Sequence, residues 1–157
     1  MALGRHSRPH YRAVRNRGKT GIIIVMIRKK KETGRIILPA GMKPRPEEHE
    51  LHVASILSEH YRTDVEFLPR ANQRTPDFVI DGVVWELKSP TGTGKNNIQR
   101  QLQDAHRQSK NVIIDASRSK MHATKIRRQV EHQFKIVKSV KRLLFVSKSG
   151  KVYEITR

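Results

Sequence analysis

Asp81-Gly82, set between the apolar runs 78–80 and 83–87, leaves this part of the chain little choice but a β-hairpin. The dipeptide is a strong signal for a two-residue turn with positive φ at both positions. Such a turn sets the register: Ile80 opposite Val83, Val79 opposite Val84, Phe78 opposite Trp85 and Asp77 opposite Glu86. Two carboxylates then face each other with Cβ atoms on the order of 5 Å apart, where like charges normally destabilise a sheet. Strand alternation puts Lys88 on the face of Glu86, and Trp85 and Leu87 on the other. A divalent cation would remove the repulsion, and Lys88 would reach whatever that cation binds. Two acids and a lysine on one face imply metal-dependent phosphodiester chemistry.

The charge balance points the same way. The 157 residues hold 33 Lys plus Arg against 14 Asp plus Glu, a formal net charge of +19. Solubility needs only about 2–8 charges on a small domain. The excess implies a polyanionic partner, nucleic acid first and anionic membrane second. No apolar run approaches the ~18 residues of a membrane span, and the first residues lack the apolar core of a secretion signal. Without cysteine, any metal must be held by oxygen or histidine.

Three parts are expected. Residues 1–20 carry Arg5, Arg8, Arg12, Arg15, Arg17 and Lys19 with no acid, the composition of a disordered basic arm. Residues 21–46 read as an accessory hairpin, strands 21–28 and 35–38, followed by a linker broken by Pro39, Gly41, Pro44 and Pro46. Residues 47–157 form the main domain. Leu51, Ala54, Leu57 and Tyr61 predict a helix over 47–61. There Glu50 either faces water or looks into a site, and periodicity favours water. A strand over 65–68, the hairpin, a helix over 97–110 (Ile98, Leu102, Ala105), a strand over 111–116 and a basic helix over 121–139 follow. Strands at 143–147 and 152–155, joined at Ser149-Gly150, close an α/β plan around a mixed sheet.

Other features carry less. The segment 90–95 imitates a phosphate-binding loop, but the four-residue glycine spacing is missing and Asn96 stands where Ser or Thr is needed. A loop beside the site, with Lys95 touching phosphate, and a plain surface loop are equally good readings. His106 and His122 lack the spacing of an acid–base pair. Lys125, Arg127, Arg128 and Lys135 on the long helix form a basic belt, either a solvated face or a nucleic-acid track.

Pro76-Asp77, followed nine residues on by Glu86-Leu87-Lys88, resembles the signature of PD-(D/E)XK nucleases. It sits within the same restriction-endonuclease-like order of helix, three strands, helix and strand. More narrowly, PDFVIDGVVWELKSPTGTGKNNIQRQL (residues 76–102) and QSKNVIID (residues 108–115) resemble the C-terminal tRNase toxin domains of contact-dependent growth inhibition proteins of the CdiA type. The resemblance spans about 47–157. It implies that Asp77 and Glu86 bind Mg²⁺ or Mn²⁺, that Lys88 supports the attacking water or the transition-state charge, and that Glu50 joins them. It also implies that Gln101 and Gln108 face the site, that tRNA is the substrate, and that an acidic immunity protein is a partner. The site of action would then be cytoplasmic, the chain being delivered as part of a larger toxin. A DNA endonuclease on the same fold and a non-catalytic basic nucleic-acid-binding protein are the alternatives. Metal-assisted hydrolysis and attack by an RNA 2′-hydroxyl both remain open.

Overall fold

The computed structural model describes residues 33–70 and 74–157. The expected basic arm and the first strand of the accessory hairpin lie outside them. Seven strands form one mixed sheet whose spatial order follows the chain. The strands are β1 (Ile36–Ile37), β2 (Val65–Phe67), β3 (Phe78–Ile80), β4 (Val83–Lys88), β5 (Asn111–Asp115), β6 (Arg142–Val146) and β7 (Val152–Ile155). Helix α1 (Glu48–Tyr61) precedes β2, α2 (Asn97–Ala105) joins β4 to β5, and α3 (Ala123–Ile136) joins β5 to β6. The two joined pairs are parallel, as helical crossovers require. Hairpins make the β2–β3, β3–β4 and β6–β7 pairs antiparallel. The expected second strand at 35–38 is only the two-residue β1, parallel to β2 at the sheet edge.

Side chains alternate between two cores. Trp85, Leu87, Ile113 and Leu144 pack with Val53, Ala54 and Leu57 of α1 on one face. Val112, Ile114, Leu143 and Phe145 pack with α2 and α3 on the other. Central β5 and β6 are apolar on both faces, as parallel strands buried between helices must be. Phe67 and Phe78 meet edge to face at 4.8 Å in the α1 core, each fully buried ring contributing about 1.5–3 kcal/mol.

Local chemistry sets the ends. The Glu47 side chain takes the Glu50 amide and the Glu50 side chain takes the Glu47 amide, a capping box opening α1. Helix α2 stops at Ala105, short of the expected 110. Beyond it Ser109 Oγ and Asn111 Nδ2 both donate to the Val84 carbonyl at 3.0 Å, stitching this turn to β4. Helix α3 ends at Ile136 because Val137 leaves helical geometry, and Arg157 takes the carbonyls of Phe134, Val137 and Val140. Among the described residues no helix is long and apolar enough to cross a membrane.

Candidate functional site

Asp81 and Gly82 have φ of 49° and 73°, and the ladder pairs Ile80 with Val83, Val79 with Val84 and Phe78 with Trp85. That is the expected hairpin. The pairing stops there. The Asp77 amide also donates to the Trp85 carbonyl, at 3.1 Å, so Asp77 and Phe78 oppose one residue in a β-bulge. Asp77 is therefore not the ladder partner of Glu86, correcting the simple register. Its backbone carbonyl accepts from Leu68 at 3.0 Å, and its side chain reaches β4, where Oδ2 accepts from the Leu87 amide at 2.8 Å. The two carboxyls still lie close enough to shift each other's ionisation.

Glu86 points away from Trp85, as alternation requires, and only 3% of it is exposed. Its ladder partner Val112 lies in the α2–α3 core. One oxygen, Oε1, accepts from Lys88 Nζ at 2.6 Å and from Gln108 Nε2 at 2.7 Å. The other, Oε2, is buried and accepts from no donor among the described residues. Burial, then the neighbouring Asp77 charge, push the Glu86 carboxyl up to about 7, with Lys88 opposing. Burial likewise raises Asp77, offset in part by the Leu87 amide, with Glu50 adding repulsion. Two carboxyls with raised pKa, one of them with an oxygen that has no donor among the described residues, make a donor set that a cation would fit. All-oxygen donors suit a hard divalent ion.

Glu50 lies close enough to repel Asp77, yet its carboxylate is engaged elsewhere. It caps its own helix and pairs with Arg70, whose Nη2 meets both oxygens at 2.6 and 2.5 Å. Among the described residues no three acidic or histidine side chains converge as a preformed metal cage. Of the two expected glutamines, Gln108 touches the site and Gln101 is half-buried on α2 two turns earlier. Lys95 is exposed in the loop before α2. Arg127 is held by Glu131 at 2.9 Å and stacks 4.3 Å over Tyr153. Arg128 is exposed and lines a groove with His122, Lys125 and His132. His122 caps α3 through Nδ1, and His106 Nδ1 bonds the Gln103 carbonyl.

Sequence reasoning missed Arg70, which sits in a loop without periodicity, and the role of Asp115. Asp115 is fully buried at the end of β5. It accepts from Ser89 Oγ (3.1 Å), Ser117 N (2.9 Å) and Ser117 Oγ (2.7 Å), pinning the chain just after Lys88 to the neighbouring strand end. Its place in an otherwise apolar strand is the signal that could have found it.

No curated protein matches the chain. Its fold resembles a chain of the CdiA-CT/CdiI toxin and immunity complex from Burkholderia pseudomallei, with TM-score 0.59 over 79% of this chain and 100% of that chain, at 19% identity. Residues 74–152, which include Asp77, Glu86, Lys88, Gln108 and Asp115, match the model for the contact-dependent growth inhibition CdiA C-terminal domain. The hairpin site thus lies inside the segment that defines the relationship, and the chain belongs to the CdiA C-terminal domain family of contact-dependent growth inhibition.

Proposed function

We propose that this chain is a metal-dependent endonuclease of the PD-(D/E)XK type that cleaves tRNA, the toxin of a contact-dependent growth inhibition system. The observation that carries the reading is the buried Glu86 carboxylate, held by Lys88 and Gln108 through one oxygen and donor-free at the other, beside Asp77. A charged cluster this costly to bury needs a function to explain it. Asp77 and Glu86 are the residues that hold Mg²⁺ or Mn²⁺; when bound, such a cation supplies a water activated near neutral pH and offsets charge on the phosphate. Lys88 carries a compact positive charge at the same spot and meets a phosphate oxygen or the attacking water. Gln108 fixes the Glu86 carboxylate through Oε1 and leaves Oε2 for the cation. Lys95, Lys125 and Arg128 supply cations along the approach for the backbone.

The complex from Burkholderia pseudomallei pairs a toxin with an immunity protein. By analogy an immunity partner covers this site, and at +19 its matching surface is acidic. Action in the target-cell cytoplasm, after delivery on a larger protein, completes the reading.

The test is incubation of the purified protein with total tRNA and plasmid DNA side by side, in Mg²⁺ with and without chelator. Cleavage of tRNA that stops with chelator, and in Glu86→Ala and Lys88→Ala proteins of unchanged circular dichroism, is the expected result. Unchanged activity in either variant overturns the assignment, and cleavage of plasmid alone replaces tRNA by DNA.

A further inference from the structure

Arg70 lies three residues beyond the end of β2, where the Leu68 amide ties the chain to the Asp77 carbonyl. It arrives beside the acids from a third direction, after β4 and α2. Its partner Glu50 is fixed by the α1 capping box and is only 13% exposed in its side chain, so the anchor is rigid. A guanidinium that serves only an ion pair gains most from two parallel bonds across its fork. Here one terminal nitrogen meets both Glu50 oxygens, and among the described residues Nε and the other terminal nitrogen donate to nothing. The side chain is 26% exposed, so it is accessible to a ligand. Positive charge suits the spot: Glu50 repels Asp77, Asp77 repels Glu86, and Lys88 pairs with Glu86 at 2.6 Å.

We propose that Arg70 is a phosphate-positioning residue: anchored by Glu50 through one terminal nitrogen, it offers its other N–H donors to a non-bridging phosphate oxygen of the strand entering the Asp77–Glu86–Lys88 site. This rests on the nuclease reading above. Planar, permanently charged and carrying five N–H donors, guanidinium matches phosphate geometry in a way that ammonium does not. A purely structural Arg70 would instead serve only to hold α1.

Arg70→Ala and Arg70→Lys, each checked for an unchanged melting temperature, separate the two roles. Two readouts are used: steady-state cleavage of tRNA in Mg²⁺, and tRNA binding in chelator across a salt series. Losing one phosphate contact lowers the slope of log K against log salt by about 0.7–0.9, so Arg70→Ala shows that drop. Its kcat/KM falls about ten- to a hundredfold, mainly through KM. Arg70→Lys keeps charge and salt slope but stays about tenfold low in kcat/KM, because the fork is gone. A wild-type slope in Arg70→Ala, or full rescue by lysine, overturns the proposal. A wild-type protein that cleaves neither tRNA nor plasmid in Mg²⁺ overturns the nuclease reading instead.

Discussion

Gln108 donates from Nε2 to Oε1 of Glu86 at 2.7 Å, so a residue in the turn after α2 sets the orientation of a carboxylate on β4. The turn is held by Ser109 and Asn111 on the Val84 carbonyl, two residues before Glu86. Gln108→Ala removes the donor while leaving those stitches. Cleavage in Mg²⁺ is expected to fall about tenfold, the effect of one lost hydrogen bond to a charged group. Stability to urea should change by less than about 1 kcal/mol, since the side chain is only partly buried. A large stability loss with normal specific activity would make Gln108 a structural residue only.

The raised carboxyl has a consequence for stability. In the folded chain Glu86 titrates at about 7, against 4.5 ordinarily. Between those values the folded state keeps a proton that the unfolded state releases, so stability falls as pH rises through that window and is flat outside it. Burial of Asp77 acts in the same direction. In chelator, Glu86→Gln should therefore gain on the wild type from pH 4.5 to 8, by on the order of 1–3 kcal/mol. Added Mg²⁺ reverses the trend, raising the wild-type melting temperature at pH 8 more than at pH 5, where protons compete for the same oxygens. Melting curves for both proteins across pH check this; a constant gap between them refutes it.

Much of this architecture could be read from local chemistry. Positive φ at Asp81 and Gly82 made the hairpin legible, and the apolar spacing of Ile98, Leu102, Ile126 and Val130 marked the faces of α2 and α3. The bulge at Asp77 was not legible, because Asp77 bonds the Trp85 carbonyl while also held by the Leu68 amide just after β2 and the Leu87 amide on β4. Alternation counted from the turn cannot anticipate such tertiary contacts. Glu50 shows the same limit: periodicity placed it at the surface, and only the capping box and Arg70 reveal where its carboxylate goes. Gln108 was reachable only through family resemblance, since the helix ends before it.

Asp115 is the clearest structural anchor near the site. It is fully buried and satisfied by three donors from Ser89 and Ser117. Asp115→Ala strands those donors and opens a small void, costing about 2–4 kcal/mol. Because Ser89 follows Lys88, the lost tie should also lower tRNA cleavage under conditions where the protein is still folded. Urea unfolding beside specific activity at low denaturant measures both. A stability loss with unchanged activity would limit Asp115 to holding the strand ends.

Two adjacent arginines on α3 should behave differently. Arg127 is tied to Glu131 at 2.9 Å and lies over Tyr153, whereas Arg128 is exposed in the groove with His122, Lys125 and His132. Removing both Lys125 and Arg128 takes away two cations free to meet phosphate, so the salt slope of tRNA binding should drop by about 1.4–1.8. Arg127→Ala should instead leave the slope near wild type and lower the melting temperature slightly, through the lost stacking on Tyr153 and the exposed ion pair. Filter binding between 50 and 200 mM salt, paired with thermal melts, separates these outcomes. A drop of about 0.7–0.9 in Arg127→Ala would mean that Arg127 leaves Glu131 to meet the nucleic acid, and that the ion pair is a resting state of the free protein.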